Sequence, residues 1–252
     1  MSALPAIALY DSVESTNDLA LAAVGGDAGH GACWVADRQL AGRGRRELGG
    51  QRRAWHSPGG QNIYMSVLLR PSIDVSRAAG LTLASGVGVC QVLREMTGVD
   101  IWLKWPNDLF VGNRKLGGLL TEAATSGAQL SAVVVGLGIN VNLGAEDVPD
   151  ELRAIMTTLA IEAKERFDRL AMLAALRAAI VERCDAFCEA GYPAIAQALG
   201  EFDRSDGRAV SLVQEGKTLA GTARGIGADG QLLVELEGGA LIEVSAGEVR
   251  FL

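Results

Sequence analysis

Six arginines against one glutamate occupy residues 38–53, RQLAGRGRRELGGQRR, in a chain whose formal net charge is −7. Guanidinium forks give paired, charge-assisted hydrogen bonds to phosphate or carboxylate oxygens, and Gly42, Gly44, Gly49 and Gly50 keep Cβ atoms out of their way. The combination suits a polyphosphate, although a solvated, mobile surface loop has the same composition. A second group lies in LKWPNDLFVGNRKLGG (103–118), where Pro106 ends a strand and Asn107 and Asp108 stand between Lys104 and Lys115. Both ammonium groups can face a phosphate and Asp108 can hold a metal or orient a lysine; an Asn-Asp turn with solvated lysines is the plainer alternative. In VVVGLGINVN (133–142) a buried strand runs into G-x-G-x-N, which offers a ligand close backbone approach and an Asn side chain. In VESTNDLAL (13–21), Ser15 or Thr16 reads first as a helix cap, and the same helix start presents N–H groups that can close a pocket wall.

Several familiar chemistries do not fit. A dinucleotide fingerprint needs a sixth-position Gly, where Val141 stands in 136–141 and Glu47 in 42–47. SLVQEGKT (211–218) lacks the first Gly of a phosphate P-loop and has hairpin flanks. The chain has 2 His, His30 and His56, without acidic neighbours in sequence, which points away from Ser-His-Asp and Cys-His mechanisms. The 4 Cys, at 33, 90, 184 and 188, form no C-x-x-C pair and suit reduced core packing. An acidic chain is poorly suited to coating nucleic acid. No run approaches ~18 apolar residues and no secretory signal precedes residue 15, so the expectation is a cytoplasmic protein without a membrane span.

The elements that must position these groups are legible as short apolar runs: 63–69, 99–105 and 131–137 as buried strands, with helices over 77–97 and 167–188. In the second helix Leu170, Leu173, Leu176, Ile180, Cys184, Phe187 and Cys188 recur at three- and four-residue spacing. After Gly200 the texture changes to strand candidates at 208–213, 217–224, 231–236 and 240–251, separated by E-G, D-G and G-G turns, which predicts a small barrel-like β domain. Strands and helices upstream do not alternate strictly, so the fold class expected is α+β, a mixed sheet flanked by helices, in 1–200, with the β domain in 201–252. A length of 252 residues suits one large domain with a small appendage, and 32 Gly is nearly twice the usual ~7% share.

Taken in order, STN (15–17), Gln39, GRGRR (42–46), SPGGQNIYMS (57–66), KWPND (104–108), RKLGG (114–118) and GLGIN (136–140) resemble the catalytic core of biotin protein ligases, and ARGIGADGQLLVEL (223–236) resembles that family's small SH3-like domain. The resemblance implies a class II synthetase-like catalytic fold with a C-terminal SH3-like β-barrel. It also implies a two-step reaction: biotin and Mg²⁺-ATP give biotinyl-5′-adenylate and pyrophosphate, then the ε-amine of a lysine on a biotin carboxyl carrier domain takes the biotinyl group. By the same resemblance Ser15, Thr16, Asn17, Gln39, Gly42, Arg43, Arg45, Lys115, Gly118, Gly136 and Gly138 hold biotin. Arg45, Arg46, Trp55, Lys104, Asn107 and Asn140 face ATP or the adenylate. Lys115, Arg45 and Asp108 carry the catalysis: Lys115 bridges the biotin carboxyl and the α-phosphate, and Asp108 orients or deprotonates the incoming lysine. No fixed protein metal site is implied, Mg²⁺ arriving with ATP.

Two departures from the family pattern matter. Eight residues, ELGGQRRA, separate GRGRR from Trp55 where the family usually has about three, which weakens the role given to Trp55 and brings Gln51 to Arg53 within reach of phosphates. Residues 42–53 are therefore expected to be mobile without ligand and ordered by it. The 14 residues before STN hold no Lys or Arg, so operator binding of the kind known for some members is not expected. The family includes sheet-edge homodimers and monomers, and a homodimer remains open. Rival readings are a lipoate ligase or octanoyltransferase, against which GRGRR and KWPND argue, and a non-catalytic anion-binding module.

Overall fold

The computed structural model describes residues 4–46, 52–126, 129–214, 217–245, 247 and 249–252. Strand β1 (Ile7–Val13) leads through helix α1 (Thr16–Ala22) to β2 (Ala32–Gln39), which lies parallel to it with Val13 opposite Gln39. A small antiparallel hairpin follows, β3 (Arg43–Arg46) with β4 (Arg52–Ala54). Then come β5 (Ile63–Leu69), helix α2 (Ala78–Thr97), β6 (Ile101–Lys104), β7 (Asp108–Val111), β8 (Arg114–Ser126) and β9 (Gln129–Ile139). Seven of these strands make one sheet in the order β1-β2-β5-β9-β8-β7-β6, in which every neighbour after the first pair is antiparallel.

The apolar run IYMSVLL has no polar face because β5 is central and covered on both sides. Met65, Val67, Val133 and Val135 point to the larger core under α2 and α4 (Arg169–Ala190), whereas Leu68, Val134 and Ala132 pack with Ala20 of α1. This period-2 division is the pleat of the sheet. Helices α2 and α4 approach closely at Gly88, where a Cβ would come within 2.8 Å of the Ala179 carbonyl oxygen. Asp168 caps α4 by accepting from the backbone N–H groups of Leu170 and Ala171 at 2.9 and 3.3 Å. The buried face begins at Met172 and Leu173, whereas Leu170 in the first turn is 65% exposed, and it takes in Cys184, one of three buried thiols.

Short helices α3 (Leu159–Ala163) and α5 (Ala196–Phe202) precede the second sheet. Its strands are β10 (Ala209–Gln214), β11 (Lys217–Ile226), β12 (Leu232–Leu236), β13 (Leu241–Val244) and β14 (Val249–Phe251), in the antiparallel order β13-β12-β11-β10-β14. The stretch 240–251, expected as one strand, is two strands on opposite edges of that sheet, which the chain reaches by leaving extended structure at 245, where Gly247 has φ +133°. Among the described residues the two edge strands are not paired with each other, so the expected barrel is an open sheet here. The two sheets meet through the Trp105 indole N–H, which donates to the Gly230 carbonyl at 2.9 Å, and through Phe251 stacked on Trp102 with centroids 5.9 Å apart.

Candidate active site

A cavity of about 980 Å³ opens where the ends of β2, β6, β8 and β9 meet the start of α1. Its floor is bare sheet: register sets Gly118 opposite Gly138 and Leu120 opposite Gly136, so three of these four cross-strand positions carry no side chain. The glycines are required by what presses on them. A Cβ on Gly136 would stand 2.2 Å from Asn17 Oδ1, and one on Gly138 2.8 Å from Trp55 Nε1. The Trp55 Nε1 is buried and has no hydrogen-bond partner among the described residues, a donor pressed against the floor of the cavity.

One end of the cavity is a connected polar floor. The Gln39 amide oxygen accepts from the Thr16 backbone N–H at 2.9 Å and from its hydroxyl at 3.2 Å. The Ser66 hydroxyl donates to Asn17 Oδ1 at 2.6 Å and stands 2.7 Å from the Thr16 hydroxyl. Asn17 Nδ2 in turn donates to Glu122 at 2.7 Å and to the Leu120 carbonyl at 3.3 Å. Gln39 Nε2 donates to the Ser57 hydroxyl at 3.4 Å, which donates to the Trp55 carbonyl at 2.9 Å. Ser15 occupies the cap position of α1 but its side chain makes no cap hydrogen bond, which corrects the capping role expected of it.

The other end is cationic. Lys115 Nζ lies 2.6 Å from Asp108 Oδ1 and 5.3 Å from the centre of the Trp55 ring. Its backbone is fixed by two bonds to a neighbouring segment, Lys115 N–H to the Ile155 carbonyl at 2.8 Å and Thr157 N–H to the Lys115 carbonyl at 2.9 Å. Asn107 is held by its Nδ2 donating to the Leu119 carbonyl at 2.7 Å, and its Oδ1 accepts from Arg45 at 3.2 Å. Lys104 Nζ sits 5.2 Å from each of the Phe110 and Phe251 rings. Asn140 Nδ2 donates to the Thr157 carbonyl at 3.2 Å.

The cavity wall thus brings together Ser15, Thr16, Asn17, Gln39, Arg43, Arg45, Trp55, Lys104, Asn107, Asp108, Lys115, Gly118, Gly136, Gly138 and Asn140. Gly42 stands behind the wall, because a Cβ there would meet Ser57 Oγ at 2.5 Å and the Trp55 carbonyl at 2.9 Å. The side chain of Arg46 and residues 47–51 lie outside the described residues, and with them much of the expected ordering of 42–53. Arg43 is committed to protein carboxylates: both Asp18 oxygens at 2.6 and 2.8 Å and Glu122 at 3.1 Å. The hydrogen bond it donates to Asp18 is the chief reason its guanidinium is held more firmly in the charged form than usual. Sequence reasoning missed Glu122 and Ser66, which tie the floor together, and the walls supplied by Leu152, Ile155 and Met156 and by Val249 and Arg250 of the second sheet. Ser66 closes the SPGGQNIYMS motif and, like Glu122, stands behind the cavity wall, whereas the other residues reach the wall only through tertiary packing, which no local pattern marks.

The family model for the biotin/lipoate A/B protein ligase family matches residues 10–140, and that for the biotin protein ligase C terminal domain matches residues 207–252. The bifunctional ligase/repressor BirA of Bacillus subtilis is 34% identical over 230 residues, covering 91% of this chain and 69% of that protein. A biotin–[acetyl-CoA-carboxylase] ligase of Mycobacterium tuberculosis is 32% identical over 239 residues, covering 92% and 82%. Among solved structures, the biotin protein ligase from Aquifex aeolicus in complex with biotin and ATP superposes with a TM-score of 0.81 at 29% identity, covering 98% of this chain and 99% of that one. The chain belongs to the biotin/lipoate A/B protein ligase family.

Proposed function

We propose that this protein joins biotin to ATP, giving biotinyl-5′-adenylate and pyrophosphate, and then transfers the biotinyl group to a lysine ε-amine on a biotin carboxyl carrier domain. The observation that carries the reading is the single cavity with a polar, glycine-backed floor at one end and the Lys115–Asp108 pair at the other. A ureido ring needs donors and acceptors at a fixed spacing, which Ser15, Thr16, Asn17 and Gln39 offer on the cavity wall; a dithiolane or a plain alkyl chain needs neither. This favours biotin over lipoate or octanoate.

The chemistry needs no histidine. The biotin carboxylate is already a nucleophile, and its oxygen attacks the α-phosphorus while the bond to pyrophosphate breaks. The chain's task is to hold two anions against each other and to stabilise the charge that builds between them. Lys115 supplies an ammonium at that point, with Arg45, Lys104 and Asn107 around the phosphates and Mg²⁺ entering as the counter-ion of ATP. In the second step a neutral lysine amine attacks the acyl carbon and AMP leaves; Asp108, released from Lys115, accepts the proton or orients the amine. Residues 1–200 carry the chemistry in this reading, and 201–252 complete the wall through Val249 and Arg250. The net charge of −7 favours a ligase that binds no operator DNA, and the four free thiols suit a cytoplasmic setting. The test is pyrophosphate exchange into ATP with biotin, lipoate or octanoate, followed by transfer to a carrier domain. Exchange supported by biotin alone is expected; exchange with lipoate and not biotin refutes the reading.

A further inference from the structure

We propose that Glu122 is a positioning residue that ties the first strand of the Arg-rich hairpin to the polar floor of the cavity, so that retention of the adenylate and recognition of biotin depend on one carboxylate. The inference rests on the biotin-activating reading above. Glu122 lies on β8 two residues beyond Leu120, hence on the same face of the sheet as Gly118 and Leu120, and its register partner Val134 packs under α1. One oxygen, Oε2, accepts from both Asn17 Nδ2 at 2.7 Å and Arg43 Nη2 at 3.1 Å. The carboxylate is 20% exposed and the Arg43 side chain 13%, so the pair is shielded from solvent far more than Asp18, at 52%, on the other side of the guanidinium.

Each bond has its own task. The Asn17 amide is clamped between Glu122, Ser66 and the Gly136 backbone; without Glu122 its Nδ2 keeps only the 3.3 Å contact to the Leu120 carbonyl. The amide can then turn away from the orientation that matches a ligand. Arg43 opens β3, and two residues on Arg45 reaches Asn107 across the cavity. Loss of the inner carboxylate leaves the Arg43 guanidinium paired, among the described residues, with the exposed Asp18 alone, which solvent screens.

The two tasks separate chemically. Glu122→Gln keeps an oxygen that can accept from Asn17 but removes the charge opposite Arg43, whereas Glu122→Ala removes both. For Glu122→Ala the expected result is a biotin KM raised about 10- to 100-fold, with the ATP KM within about twofold, and adenylate release about tenfold faster. Glu122→Gln, which is isosteric and keeps the proposal testable if the alanine variant does not fold, is expected to hold the biotin KM within about threefold while still releasing adenylate several-fold faster. A general packing role would move both KM values together, or leave glutamine indistinguishable from glutamate in both measurements, and either result overturns the proposal. Wild-type protein that neither binds biotin nor exchanges pyrophosphate overturns the underlying reading; wild-type activity with unaltered variants overturns this inference alone.

Discussion

Lys115→Ala separates catalysis from stability, because the structure assigns the side chain little of the second. Its Nζ makes one ion pair, 2.6 Å from Asp108, with the two side chains 32% and 23% exposed, and one contact to the Trp55 ring at 5.3 Å. A pair this open to water contributes about 0–1 kcal/mol, and a cation–π contact of that kind ~0.5 kcal/mol. The main-chain bonds to Ile155 and Thr157 survive the substitution. The expected cost is therefore about 1 kcal/mol, or roughly 2–4 °C in Tm for a chain of this size. In the proposed reaction the same ammonium faces the charge that develops as carboxylate meets α-phosphorus, and removing such a donor costs on the order of 10²–10³ in rate, or about 2.7–4 kcal/mol. Biotin-dependent pyrophosphate exchange measures the rate and a thermal melt of the same sample measures the stability. A folded variant exchanging at near wild-type rate refutes the role given to Lys115. A melt lowered by far more than the exchange rate is lowered would show that the side chain is structural.

Three further outcomes follow from particular contacts. Gly136→Ala places a Cβ 2.2 Å from Asn17 Oδ1, so the amide must move; a biotin KM raised about 10- to 100-fold with little change in the ATP KM is expected in steady-state kinetics. Gly80→Ala puts a Cβ 2.1 Å from Phe187 at the α2–α4 contact, away from the cavity, and a loss of about 1–3 kcal/mol in urea unfolding with unchanged KM values is expected. Burial pushes the thiols of Cys33, Cys90 and Cys184 up to about 12 and raises that of half-buried Cys188 as well, so a thiol reagent at pH 8 is expected to label native protein slowly and at Cys188 alone, through its accessibility, and all four cysteines in denaturant.

What the sequence shows of this molecule follows the range of the interactions involved. Strands 63–69 and 131–137 and the two long helices are legible because a covered strand or an amphipathic helix writes its burial into consecutive residues. Leu170 departs from its stripe because the first turn of α4 buries Met172 and leaves Leu170 facing outward, a tertiary fact that spacing does not encode. The strand break at 245 is equally hidden, since the apolar alternation of 240–251 is the same whether one strand continues or two occupy opposite edges. In the site, Lys115 with Asp108 and the glycines of β8 and β9 are readable, for the chemistry and the close approach are local to their motifs. Glu122 is not, because an isolated glutamate in a strand acquires meaning only from Asn17 and Arg43, 105 and 79 residues away.

The same reasoning explains why Ser15 is not the cap that its position suggests. Parallel pairing of β1 with β2 sets Val13 beside Gln39, at the point where the chain turns into α1. The Gln39 amide oxygen therefore reaches the first N–H groups of the helix and takes the Thr16 N–H at 2.9 Å. A helix start has orphan donors that must be satisfied, and here a side chain from the neighbouring strand does so in place of the usual serine. The Ser15 side chain is thereby left to line the cavity, 4% exposed, beside Thr16 and Asn17. Had Ser15 capped the helix, its hydroxyl would face the backbone and the polar floor would lack one of its groups. Placing α1 directly after an edge strand in parallel register thus frees the residue at the cap position of the helix to face the cavity.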